Sequence, residues 1–231
     1  MHPITERNDM DLPRKLTAEF LGTAALLAIV VGSGIMAERL AGGNAGIALL
    51  ANSIATGLGL AFLIYGLGNI SGAHFNPAVT GAAVANCDLG PASGVLYVAS
   101  QFAGGIVGTI VANIMFELPA VNISNKVRVG AGQFLGECVA TFGVIVGIAL
   151  FTRFHPKLTG AMVACYIVAA CWFTSSTSFA NPAVTVARTL SNTFAGIAPE
   201  SIGMFVLAQL VGASISFVFF KWLTVSNKNN E

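Results

Sequence analysis

The sequence predicts an all-α membrane protein with six transmembrane helices and two re-entrant half-helices, arranged as an inverted repeat of three spans plus one half-helix. Three observations predict it. Only 9% of the 231 residues are charged and 55% are hydrophobic, with a mean hydropathy of +0.78, whereas soluble domains carry about 25% charge. Asn76-Pro77-Ala78-Val79-Thr80 returns verbatim as Asn181-Pro182-Ala183-Val184-Thr185. The stretches Leu40 to Cys87 and Leu158 to Ala187 contain no Asp, Glu, Lys or Arg. Each exceeds the ~20 residues that one span needs, so each holds a full span and a half-helix.

Each copy of the pentapeptide reads as a helix start, because Asn is a strong N-cap and Pro favours the first helical position. From Asn76 the apolar run reaches Asn86 before Asp88 and Pro91 stop it, which at 1.5 Å per residue is about 16 Å. That is half of a hydrocarbon core of about 30 Å. A lone half-span would leave its first N–H groups unsatisfied in lipid. Two half-helices entering from opposite sides and meeting at their N-termini solve this jointly, with positive dipole ends facing a shared watery cavity.

In chain order, residues 16–37 form the first span, which carries Glu19 and Thr23. The second spans about 46–68 and the third about 93–117, with Gly104-x-x-x-Gly108 offering a small face for close helix contact. Spans four to six fall near 131–152, 159–175 and 199–223, and Gly143-x-x-x-Gly147 in the fourth is a second small face. The repeat extends beyond the pentapeptides: Glu19-x-x-x-Thr23 returns as Glu137-x-x-x-Thr141, and Gln101-x-x-Gly104 as Gln209-x-x-Gly212. Three anchors in one order make a duplication, 16–117 and 131–223, within one domain flanked by tails at 1–15 and 224–231. An odd number of spans per copy forces the second copy to be inverted.

Basic residues set the orientation. With the N-terminus inside, the cytoplasmic side holds Arg7, Arg14, Lys15, Arg153, Lys157, Lys221 and Lys228, and the outer side Arg39, Lys126 and Arg128. Both termini are therefore expected in the cytoplasm. Trp222, beside Lys221, suits the inner interface belt and reads equally as one more apolar residue. Cys87, Cys138, Cys165 and Cys171 lack metal-ligand spacing and read as buried reduced thiols. A net charge of +1 points to no nucleic-acid partner, and neither a nucleophile–base pair nor a cofactor or metal motif emerges. Few charges fall within the apolar segments, among them Glu19, Glu137 and Arg188. The symmetric placement of the two glutamates suits carboxylates accepting N–H bonds from the re-entrant loops, in preference to a proton relay.

Six spans, an inverted duplication, Ser71-Gly72-Ala73-His74-Phe75-Asn76-Pro77-Ala78-Val79-Thr80 and the second Asn181-Pro182-Ala183 resemble the aquaporin/aquaglyceroporin (major intrinsic protein) family. The resemblance implies a passive channel for water or small uncharged solutes, assembled as a homotetramer with one pore per chain. It implies that Asn76 and Asn181 donate to the solute at the midplane. The carbonyls of Gly72, Ala73, His74 and Phe75 and of Thr177, Ser178, Phe179 and Ala180 would form an acceptor ladder, as irregular backbone facing water allows. His74 is expected to brace its loop through hydrogen bonds.

In the family an outer filter of four positions includes an Arg three residues after the second Asn. Here that position is Val184, and the other three fall by the same count on Thr56, Ala169 and Ser178. None is charged or aromatic, which predicts a wide constriction without a positive guard. Arg188 lies one turn beyond Val184, about 5–6 Å along the axis, and either points into the vestibule as a displaced cationic gate or snorkels to the interface. The Arg-free second motif resembles the bacterial aquaglyceroporin branch associated with arsenic resistance. That narrower resemblance implies an inner-membrane channel for arsenite, a neutral trihydroxy solute, alongside glycerol and water. An ordinary water or glycerol channel is the alternative within the fold. An ion-coupled secondary transporter is a distant one, because the midplane offers neutral Asn and Ala in place of titratable groups.

Overall fold

The computed structural model describes residues 10–224; the ends of both expected tails, with Arg7 and Lys228, lie outside the described residues. The chain forms α1 (Leu12–Leu40), α2 (Ala45–Ser71), α3 (Pro77–Ala85), α4 (Pro91–Met115), α5 (Ala131–Phe154), α6 (Thr159–Phe173), α7 (Pro182–Ala187) and α8 (Ile202–Thr224). Short 3₁₀ turns lead into α6 and α8, at Pro156–Leu158 and Pro199–Ser201, and a third, Arg188–Leu190, follows α7. With those lead-ins, six helices among the described residues are long and apolar enough to cross a membrane, and α3 and α7 are the two half-helices.

Local chemistry sets the boundaries. The first helix begins inside the stretch expected to be tail, because Asp11 accepts from the Arg14 amide and a proline occupies the first turn. Asn44 caps α2 through the Gly46 and Ile47 amides, and α2 ends at Gly72 with φ 91°, a left-handed cap that glycine adopts freely. Asn76 and Asn181 cap α3 and α7 with their side-chain oxygens, each followed by proline at the first position.

The two halves pack by the same device. In the first, α1 lies on α4; in the second, α5 lies on α8; α2 against α6 joins the halves. A Cβ on Gly104 would sit 2.3 Å from the Phe20 carbonyl oxygen, and one on Gly212 would sit 2.4 Å from that of Cys138. Both glycines therefore let helix backbones touch. Gly108 does the same against Ala24. The small face expected at Gly143 and Gly147 is not a helix-backbone contact: Gly143 makes room for the Tyr166 hydroxyl, and nothing approaches Gly147. At the matched positions Gly22 and Ala140 the halves differ. Gly22 accommodates the buried ring of Phe75, while the equivalent Ala140 packs against the small Ala180.

Between α4 and α5 the chain runs extended. Asn122 and Ser124 donate their amides to the carbonyls of Leu190 and Thr189 at 3.0 and 2.8 Å, and Ala198 donates to the Lys126 carbonyl at 2.8 Å. This segment lies over the residues that follow α7. Val121, Ile123, Val127 and Val129 are exposed while Ser124 is buried and Lys126 and Arg128 half-buried, so alternation turns the two cations inward.

Candidate functional site

The half-helices meet at their N-termini. Asn76 Nδ2 donates to the Ala180 carbonyl and Asn181 Nδ2 to the Phe75 carbonyl, each at 2.8 Å. Each Asn oxygen meanwhile accepts from the amide two residues on. An amide side chain has two N–H groups, so one on each Asn is left for another acceptor.

The stretches leading into them share one backbone pattern. Gly72, Ala73 and Phe75 have φ of 91°, 50° and 49°; Thr177, Ser178 and Ala180 have 62°, 51° and 46°. Non-glycine residues in this region cost on the order of 1–3 kcal/mol each and persist where the surroundings over-determine them. The surroundings here are two buried carboxylates. Glu19 accepts from the His74 and Phe75 amides at 3.0 and 2.8 Å, from Ser71 Oγ at 2.6 Å and from Gln101 Nε2 at 2.7 Å. Glu137 accepts from the Phe179 and Ala180 amides at 2.8 Å and from Gln209 Nε2 at 2.6 Å. Each glutamine also donates to the hydroxyl of the pentapeptide threonine, Thr80 or Thr185, at 2.9 Å. Nδ1 of His74 lies 3.1 Å from Thr80 Oγ1.

With the amides turned to the glutamates, carbonyls face the other way. Those of Gly72, Ala73, His74, Thr177, Ser178 and Phe179 take no hydrogen bond from the described residues. All six residues line a cavity of about 810 Å³ that also takes in Phe75, Ala180, Asn76 and Asn181. It runs from one mouth, at Asp88 and Arg153, past the paired asparagines to a second, at Lys126, Arg128 and Arg188.

Thr56, Ser178 and Val184 line this cavity and are buried. Ala169 does not line it. It is exposed on the far side of α6, and Val163, Ile167 and Cys171, four residues apart, form the cavity face. Cys171 is thus a buried thiol that lines the cavity, whereas Cys87 and Cys165 are exposed and not buried as expected.

Arg188, one turn beyond Val184, is the residue for which two readings stood open. Arg188 is 7% exposed and lines the cavity, which decides against snorkelling. Its Nε donates to the Ala195 carbonyl and its guanidinium lies 3.5 Å from the centre of the Phe179 ring. Arg128 approaches the same ring at 5.2 Å, and Lys126 the Phe194 ring at 5.4 Å. Desolvation by burial holds the Arg128 guanidinium below its usual range. It does the same to the Lys126 ammonium, reinforced by neighbouring Arg128 and partly offset by Glu38. Sequence reading missed Lys126 and Arg128; the available signal was the alternation of apolar and polar residues through 121–129.

Comparison with known proteins fits this geometry. The family profile described as "Major intrinsic protein" matches residues 6–175. The chain belongs to the major intrinsic protein family. It is therefore a multi-pass membrane channel and not an enzyme. Among relatives of this family, the chain is 48% identical over 215 residues to "Aquaglyceroporin AqpS" of Rhizobium meliloti (strain 1021), covering 93% of this chain and 92% of that one. It is 30% identical over 219 residues to "Glycerol uptake facilitator protein-like 6" of Lactiplantibacillus plantarum, covering 88% and 94%. The solved structure of the aquaglyceroporin from Plasmodium falciparum superposes with a TM-score of 0.71 at 20% identity, covering 91% of this chain and 96% of that one, a likeness of fold.

Proposed function

We propose that the chain conducts small uncharged solutes of the size of glycerol, with water, and that arsenite, as neutral As(OH)3, shares this path. The observation that carries the reading is Val184. At the position where the family resemblance places a filter arginine, the cavity meets a short apolar side chain, with Thr56, Ser178 and Cys171 also lining it. A throat bounded by such residues leaves room for a triol. The relatives described as an aquaglyceroporin and a glycerol uptake facilitator support this permeant class.

In this reading the free N–H groups of Asn76 and Asn181 and the unpaired carbonyls on either side replace water's hydrogen bonds one after another, so a polyol crosses without losing partners. Glu19 and Glu137 act as loop supports. The paired positive half-helix ends repel cations at the midplane, as is general for aquaporin-type pores, and Arg188 supplies a second barrier displaced from Val184 toward the mouth. Neutral hydroxides avoid the desolvation cost that bars ions. The channel would work as a homotetramer in a bacterial inner membrane with both termini cytoplasmic, which puts Arg188 at the outer mouth; Arg14, Lys15, Arg153, Lys157 and Lys221 then lie inside.

Glycerol swelling, water permeability and arsenite uptake measured on one batch of proteoliposomes test the reading. Glycerol and arsenite fluxes well above protein-free vesicles and insensitive to ionophores are expected. Arsenite flux at the background level with glycerol flux intact would leave an ordinary water and glycerol channel. Flux abolished by ionophores would mark an ion-coupled transporter.

A further inference from the structure

The mouth at Arg188 holds more positive charge than a path for neutral solutes needs. Three cations converge on three successive carbonyls. Lys126 Nζ donates to Phe194 at 3.1 Å, Arg188 Nε to Ala195, and Arg128 Nε to Gly196 at 3.0 Å. Each spends one donor there and keeps others, since an ammonium has three and a guanidinium five. None of the three is in an ion pair among the described residues. Glu38, the acid that acts electrostatically on Lys126, already accepts the Phe194 amide at 3.0 Å. Both guanidiniums touch one ring, Phe179, so no more than their two stacking distances separates them.

Like charges crowded in a half-desolvated mouth repel more strongly than in water. One small ligand with several negative oxygens relieves this by taking short charge-assisted bonds from the donors that the three cations keep. A neutral triol offers no such charge.

We propose that Lys126, Arg128 and Arg188 form a binding site for a tetrahedral inorganic oxyanion of the phosphate type, and that the bound anion obstructs the pore. Binding follows from the donor set alone. Obstruction rests on the reading of the cavity as the solute path.

Two experiments on the full chain separate these halves. Inorganic phosphate is titrated by calorimetry into detergent-solubilised protein at constant ionic strength, with chloride as the balance. Glycerol flux is then measured in proteoliposomes with phosphate or chloride outside, at equal osmolarity. Saturable phosphate binding is expected, with a several-fold fall in glycerol flux at saturation. Lys126→Gln and Arg128→Gln, each referred to its own phosphate-free flux, should raise the half-inhibiting concentration about tenfold, the effect of losing ~1.4 kcal/mol. Absence of saturable binding overturns the site. Flux equal in phosphate and chloride, or both variants inhibited at the wild-type concentration, overturns the obstruction. Vesicles without glycerol flux even in chloride contradict the permeant reading, and the calorimetry still decides the site.

Discussion

In the first re-entrant loop His74 lies against Tyr97, with ring centres 5.5 Å apart; in the second, the matching Phe179 lies against Phe205 at 5.1 Å. Around these pairs the scaffolds coincide. Each loop turns its amides onto a buried glutamate, each glutamate takes a glutamine, and each glutamine reaches the threonine of the adjoining half-helix. Polar ring pairs with polar and apolar with apolar, and among the described residues only the apolar pair carries a guanidinium on its face. The scaffold answers a problem both halves share, which is holding three left-handed residues in a stretch whose carbonyls must stay free. The rings answer a problem that differs between the mouths. An arginine placed over Phe179 gains a cation–π contact worth about 2 kcal/mol when desolvated, so positive charge can be held beside the path without filling the position of Val184.

The largest effect is expected where the halves agree. Glu19→Ala and Glu137→Ala each strand two loop amides and a glutamine, a loss on the order of 3 kcal/mol or more. Both should cut the yield of monodisperse protein in detergent to a similar degree and lower its thermal midpoint. A tolerant Glu19→Ala beside a ruinous Glu137→Ala would break the equivalence.

A smaller effect sharpens the comparison where the halves differ. A Cβ on Gly22 would lie 2.0 Å from the Phe75 ring, so Gly22→Ala should cost about 1–3 kcal/mol by overpacking. In a Phe75→Ala background, which copies the Ala140 and Ala180 pairing, the same substitution should cost nothing or stabilise. A double-mutant cycle of thermal midpoints reads this coupling. Additive costs would mean that the two sites are not true counterparts.

Much of this architecture was legible because its signals are local. A capped proline-led helix too short to span, repeated with a glutamate, a glutamine and a glycine in the same order, leads to the duplication and places both glutamates against their loops. The register of α6 was not legible. Counting back from Asn181 to Ala169 crosses Thr177, Ser178 and Ala180, whose left-handed conformations break the helical period. The count lands on the exposed face, while Cys171 lines the cavity. Lys126 and Arg128 were hidden for another reason. Charges in a connecting segment ordinarily face water, and only the hydrogen bonds of 122–126 to the residues around α7 turn these two over the mouth.

The central claim is that the pore passes triols because position 184 lacks a guanidinium. Val184→Arg in proteoliposomes tests it most directly, through the ratio of glycerol to water permeability in matched vesicles. The account predicts that this ratio falls about tenfold, equivalent to ~1.4 kcal/mol of added barrier, with most of the water flux kept. Equal loss of both permeabilities, or an unchanged ratio in well-folded protein, would contradict it.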